Sequence, residues 1–209
     1  MEKYNIVFIE TEWARTEILG RRAEDFVLRE FSSFGASVAR MVKKSAYKEE
    51  CALLPDCVNV VLELDMPLVK LKDITSLADR MKRNKINCVR LGSKDALSKI
   101  CIGKDTSGGV FSSSQAFFKI DDAKSFNLVY NRLKDEILDE MLSRGVKIFD
   151  KATTFIDDTA VIESGATILP FTRIEGESAI SAQSVVGASY IKDSVIDGAN
   201  VEWSHIVCS

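Results

Sequence analysis

The sequence predicts an α/β domain followed by a parallel β-helix, and three observations carry that expectation. A small residue, any residue, then Ile or Val recurs every six positions through the last third of the chain. Short apolar runs alternate with helix-like segments through the first 120 residues. A long amphipathic segment separates the two patterns.

The repeat comes first, because internal self-similarity fixes architecture more strongly than local propensity. Its matches are Thr154/Ile156, Ala160/Ile162, Ala166/Ile168, Thr172/Ile174, Ser178/Ile180 and Ser184/Val186. The spacing then falls to five, at Ser189/Ile191, Ser194/Ile196, Ala199/Val201 and Ser204/Ile206. Each unit lays down one short strand and one corner. The β-branched residue fills the interior and the small residue fits where the chain turns. Three such faces make one coil, and successive coils pair as parallel sheets. A helix is excluded because the apolar positions do not recur at 3.6 and β-branched residues dominate. A Greek-key sandwich would need turn clusters every 8–12 residues, which are absent.

Upstream, Ile6–Ile9 reads as a buried strand, Glu17–Phe34 as a helix stopped by Gly35, and Ser37–Val42 as a second strand. Val58–Leu64 reads as a third strand, Asp73–Asn84 as a helix and Ile86–Leu91 as a fourth strand. Continuous apolar strands between helices indicate a parallel sheet covered on both faces. Asp121-Asp122 offers an N-cap to a long helix on which Phe126, Tyr130, Leu133, Ile137 and Met141 recur at three and four. Arg144 and Gly145 end it. The expected division is therefore 1–120 for the α/β domain, 121–145 for a connecting helix and 146–209 for the β-helix.

Composition narrows the function classes. A net charge of −3 argues against a nucleic-acid partner, which demands a basic face to displace counterions. No apolar run is long enough to span a membrane. The first ten residues carry too short an apolar stretch for a signal peptide and acidic flanks, so a cytoplasmic protein is expected. The five cysteines, Cys51, Cys57, Cys88, Cys101 and Cys208, are scattered with no C-x-x-C pair and read as reduced thiols.

The stretch Gly145–Asp157 (GVKIFDKATTFID) resembles the junction in bifunctional N-acetylglucosamine-1-phosphate uridyltransferase / glucosamine-1-phosphate acetyltransferases, where a helix leads into "G-V-x-I-x-D-P-A-x-T-x-I-D". Ile168–Gly176 and Asp193–Ile196 fit the same family, and the resemblance runs from about Phe117 onward. It implies a left-handed coil, against the usual right-handed crossover, and a reduced, Rossmann-like nucleotidyltransferase domain before it. Two N-terminal pieces agree with it: Leu19–Arg22 is similar to "G-K-P-M", and Glu63–Leu68 is similar to "G-D-x-P-L".

Residue roles follow from that resemblance. Asp65 matches the aspartate that holds Mg²⁺ at a strand's carboxyl end, where such sheets bind ligands; otherwise it is a polar residue closing a strand before Pro67. Asp121 falls where "V-N-D" supplies the second metal ligand, or else caps the long helix. Arg15 stands for the loop arginine that stabilises transferring phosphate, or is simply exposed. Thr106–Phe111 is a glycine-bearing turn that could approach a sugar or phosphate, or an ordinary loop. His205, the only histidine, reads as a surface or inter-subunit residue rather than a general base.

The departures are equally informative. Where the family has the phosphate-cradling "G-x-G-T-R-M", this chain has Glu10–Thr16 (ETEWART), without glycine and with two carboxylates. The "P-K" lysine and the uracil-reading segment have no counterpart. The expectation is a nucleotidyltransferase-related protein of the sugar-1-phosphate uridyltransferase type, without full activity, that binds a sugar phosphate or nucleotide sugar or serves assembly. The alternative is an active Mg²⁺-dependent UDP-N-acetylglucosamine pyrophosphorylase-like enzyme. A homotrimer is expected, since the family's coils associate three-fold. In addition, a coil ending at Ser209 without a cap leaves an open edge, and Leu169, Phe171, Ala179, Val185, Tyr190, Val195 and Trp203 point outward.

Overall fold

A computed structural model describes residues 3–32, 34–35, 38–92, 97–106, 110–112 and 114–208. The chain divides into two compact units, Met1–Thr16 with Arg22–Val129, and Glu17–Arg21 with Tyr130–Ser209. Among the described residues, no helix is long and apolar enough to cross a membrane.

The first unit is built on a six-stranded sheet in the order Val38–Lys43, Tyr4–Glu10, Val58–Glu63, Lys99–Ile102, Cys88–Leu91, Val110–Ser112. The first three strands run parallel, as their apolar character demands when both faces are covered. Alternation along Tyr4–Glu10 sends Ile6 and Phe8 into one core and Val7 and Ile9 into another on the opposite face. Helices Ala23–Phe31 and Leu71–Arg83 cover the first face with Val27, Phe31, Ile74, Ala78 and Met81. Ala52 and Leu53 cover the second.

Three expectations are corrected here. The sheet is mixed, because Lys99–Ile102 runs antiparallel to both neighbours. Its opening lysine disguised it; Lys99 is buried only because its Nζ meets Glu49 Oε2 at 2.6 Å. Second, the helix expected over Glu17–Phe34 begins only at Ala23. Before it, Glu17–Ile18 and Arg21–Arg22 pair around a turn in which Leu19 (φ 48°) and Gly20 (φ 79°) are both left-handed. Two such residues in succession are the hallmark of a tight hairpin turn. Third, Cys88 and Cys101 are joined as a disulfide rather than held as free thiols. The register sets them directly opposite each other on neighbouring strands, a pairing that spacing along the chain does not reveal. Cys57 and Cys208 are free.

The long helix runs Ala123–Ser143. Asp122 Oδ1 accepts from Ser125 N at 2.6 Å at its start. At its end, Val146 N reaches Met141 O and Gly145 N reaches Leu142 O, with Gly145 at φ 94°. That pair of bonds is the Schellman arrangement, and its apolar partners Met141 and Val146 are both buried.

Beyond it lie stacked parallel strands in three sheets, one per face. The coils shorten as the repeat does: Phe155 pairs with Arg173, Arg173 with Tyr190, and Tyr190 with His205. Ile156, Ile162, Ile168, Ile174, Ile180, Val186, Ile191 and Ile196 fill the interior. The small column is buried too, and its hydroxyls return to the backbone of their own corner. Thr172 Oγ1 donates to Leu169 O at 2.8 Å, Ser178 Oγ to Glu175 O at 2.7 Å, and Ser189 Oγ to Gly187 O at 2.7 Å. Ser and Thr therefore recur because they are small enough for the corner and satisfy a buried carbonyl. Corners also turn through left-handed residues, among them Gly165, Gly176, Gly198, Phe171 and Trp203. Of the residues expected outside, Phe171, Val195 and Trp203 are exposed and the other four are partly covered.

Ile180→Ala should cost about 2–5 kcal/mol, because Ile180 is wholly enclosed. Val195→Ala on the same sheet, exposed at 73%, should change stability by no more than about 0.5 kcal/mol. Denaturant midpoints of the two variants check the pair.

Candidate active site

The central strand, Val58–Glu63, is buried along its length and runs out at its carboxyl end into Leu64 and Asp65. Parallel strands direct their carboxyl ends toward ligand sites. Here the strand delivers two acidic side chains into the interior, each only 1% exposed. Glu63 is fully engaged. Its Oε1 accepts from Lys119 Nζ at 2.8 Å, and its Oε2 accepts from Leu97 N at 3.1 Å. Ser98 Oγ accepts from Glu63 N at 2.9 Å and donates to Met66 Sδ at 3.1 Å.

Asp65 is the opposite case. Both of its carboxylate oxygens are buried without a hydrogen-bond partner. The nearest cation is Lys119, with Nζ 3.7 Å from Oδ2. Burial pushes the Asp65 carboxyl up to about 6; Thr11 and Lys119 pull it back, and the Glu63 carboxylate adds to the rise. The Thr11 hydroxyl that draws the Asp65 carboxyl down is itself buried. Burial by itself would lower the Lys119 ammonium, but the Glu63 hydrogen bond and the nearby charges of Asp65, Glu63 and Asp121 raise it above the ordinary lysine value.

Asp121 acts on Lys119 through its charge, while its own hydrogen bonds run to Ser125. Asp121 is exposed; its Oδ1 accepts from Ser125 Oγ at 3.0 Å, and its amide donates to the same hydroxyl at 3.0 Å. Asp122 makes the cap proper, and its hydrogen bonds from Ser125 hold its carboxyl below the ordinary range. Arg15 closes a short 3-10 turn, Glu12–Arg15, with its side chain exposed and no ion pair to it among the described residues. Of the Thr106–Phe111 stretch, residues 107–109 lie outside the described residues. His205 is exposed and packs edge-on against Tyr190, ring centroids 4.9 Å apart.

The resemblance implies Mg²⁺ at Asp65 and Asp121, and the Asp65 carboxylate, free of hydrogen bonds, is what such an ion would use. The donor set as a whole does not fit it. Mg²⁺ demands oxygen ligands in near-octahedral order, whereas the Asp65 carboxylate faces an ammonium and Asp121 is tied to Ser125. Among the described residues, no three His, Cys, Asp or Glu side chains gather to hold a metal ion.

Lys119, Glu63 and Ser98 are the site residues that sequence reasoning did not single out. One signal was present: Glu63 ends a run of four apolar residues and one asparagine, Val58–Leu62, where an acid that stays buried must find a partner. The partner's identity was not readable, since Lys119 lies 56 positions away.

The Asp65 carboxyl sits higher in the fold than its ordinary value of 3.8. The folded state therefore holds a proton that the unfolded chain has released, and stability should fall as pH rises from about 4 to 6 and level off above. Asp65→Asn should be more stable than the parent at pH 7, by up to about 3 kcal/mol, with the advantage vanishing below about pH 4. Denaturation of both proteins across pH 3.5–8 (the range over which a carboxyl so placed titrates, about 4–6) checks this.

No family model matches the chain. The chain is similar to the bifunctional protein GlmU of a Cyanothece strain, 37% identical over 91 residues, which is 43% of this chain and 20% of the relative. It is similar also to that of Syntrophomonas wolfei, 32% identical over 103 residues, 47% of this chain and 23% of the relative. The bifunctional protein GlmU of Acaryochloris marina gives 30% over 95 residues, 46% and 21% respectively. The chain thus spans about a fifth of the length of these curated relatives. Over the aligned stretch it is a divergent relative of the GlmU proteins.

Proposed function

We propose that this chain is a nucleotidyltransferase-related protein of the sugar-1-phosphate uridyltransferase type that lacks full catalytic activity and keeps its architecture to bind a sugar phosphate or nucleotide sugar, or for assembly. The observation that supports this most is the turn after the first strand. A phosphate cradle needs backbone N–H groups free to face the ligand. Here the amides of Ala14 and Thr16 are spent on the carbonyls of Thr11 and Trp13 within the Glu12–Arg15 turn. Glu12 is exposed on that turn and adds negative charge where a triphosphate would approach. Arg15 is the one cationic side chain of the turn, and so the group it would offer a phosphate.

A working Mg²⁺-dependent pyrophosphorylase-like enzyme is the second reading, and the Asp65 carboxylate, buried without a hydrogen bond, is the observation in its favour. The resemblance also carries a left-handed coil and a homotrimer into the proposal. Phe171, Val195 and Trp203, exposed at 71%, 73% and 84%, are apolar surface that association through the coils would cover.

Two measurements test these statements. Pyrophosphate release from UTP plus N-acetylglucosamine-1-phosphate should be undetectable, while UDP-N-acetylglucosamine or the sugar phosphate should give a calorimetric binding signal with or without Mg²⁺. Turnover at about 1–1,000 per second would establish the second reading instead. Light scattering should give roughly three times the 23.2 kDa chain mass, and a value near 23.2 kDa at micromolar concentration would contradict the trimer.

A further inference from the structure

We propose that Lys119 is the built-in cation of the site at the end of the central strand, so that Glu63 and Asp65 are held without a divalent metal. The inference rests on the reading above only in placing the functional site at this strand end. Two carboxylates buried side by side demand a cation, because each loses its hydration and repels the other. A metal ion could serve, or an ammonium.

The geometry points to the ammonium. Lys119 Nζ lies 2.8 Å from Glu63 Oε1 and 3.7 Å from Asp65 Oδ2, and so faces both acids at once. Lys44 Nζ approaches Glu63 Oε1 at 4.0 Å from the solvent side, with its own side chain mostly exposed. The Lys119 position is set by the backbone and not by a loose surface rotamer. The next residue, Ile120, donates its amide to the Asp65 carbonyl at 2.9 Å and is itself fully buried. The strand end and the segment entering the long helix are therefore laced together at the residue beside the lysine. A divalent ion on Asp65 Oδ2, at a normal bond length of about 2.1 Å, would sit within a few ångströms of a like charge. The second oxygen offers no relief, because the whole carboxylate is enclosed.

Loss of the ammonium should convert the pair into a cation-seeking site. The test uses the full chain as wild type, Lys119→Met, Lys119→Arg, Asp65→Asn and the Lys119→Met/Asp65→Asn double variant. Free Mn²⁺ is followed by its paramagnetic resonance signal and unfolding by the thermal midpoint. Wild type and Lys119→Arg should take up no Mn²⁺ at about 1 mM, with midpoints indifferent to Mg²⁺ or Mn²⁺. Lys119→Met should lose at least about 5 °C in midpoint, and millimolar Mn²⁺ should restore part of that loss unless Asp65 is also replaced.

Uptake of Mn²⁺ by wild type, abolished in Asp65→Asn, would overturn the proposal, and needs no folded Lys119→Met to be seen. So would an unchanged midpoint in Lys119→Met, or a loss that Mn²⁺ cannot restore. Binding of uridine nucleotides bears on the proposed function alone, whereas Mn²⁺ uptake by wild type sinks this inference alone.

Discussion

Charge neutralisation at the end of a buried strand is the constraint on which the first unit depends. Val58–Glu63 lies inside the sheet, paired on one side with Tyr4–Glu10 and on the other with Lys99–Ile102. A strand so enclosed should be apolar, and up to Glu63 this one departs from that only at Asn59, whose amide donates to the carbonyls of Leu54 and Gly103. The acid is tolerated because Lys119 and Leu97 surround its carboxylate with donors, one of them charged. Lys119 in turn is placed by Ile120, whose burial and backbone bond to Asp65 fix the entry to the long helix. Asp65 is the residue left over. Its enclosed carboxylate has Lys119 at 3.7 Å but no hydrogen bond, the kind of local violation that accumulates at functional sites.

The second unit obeys a different rule. Each coil needs one β-branched side chain inward and one small residue at the corner, and the corner must also satisfy a carbonyl turned away from the ladders. Serine and threonine meet both demands together, as the bonds of Thr172, Ser178 and Ser189 show. The buried members of the column are all serine or threonine except for alanine at 160 and 166, which meets the demand for size alone. Phe171 and Trp203 are the cost on the outside: large aromatic residues in left-handed corners, almost wholly in solvent. A glycine would be the easier choice there.

Legibility in the sequence followed the range of the interactions. The repeat was readable because its period is local and each coil makes the same demand. The long helix was readable to within two residues at its start because Asp122, Ser125 and Gly145 act within one turn of its ends. The hairpin at Leu19-Gly20 was not, since Ile18 and Leu19 continue an apolar spacing that also suits a helix. The antiparallel strand and the Cys88–Cys101 link depend on register between separate segments. The site was half readable. Asp65 could be proposed from a tetrapeptide, while the lysine that decides its chemistry came from the far side of the unit's sequence.

The central claim is that Glu63 and Lys119 form one electrostatic unit with Asp65 beside it. A double-mutant cycle of Glu63→Gln and Lys119→Met, read by chemical denaturation at pH 7, tests it most directly. The account predicts a coupling of roughly 1–3 kcal/mol, with the double variant less destabilised than the two single losses together. Strict additivity, within about 0.3 kcal/mol, would mean that the ammonium does not hold the buried acid, and would contradict the account.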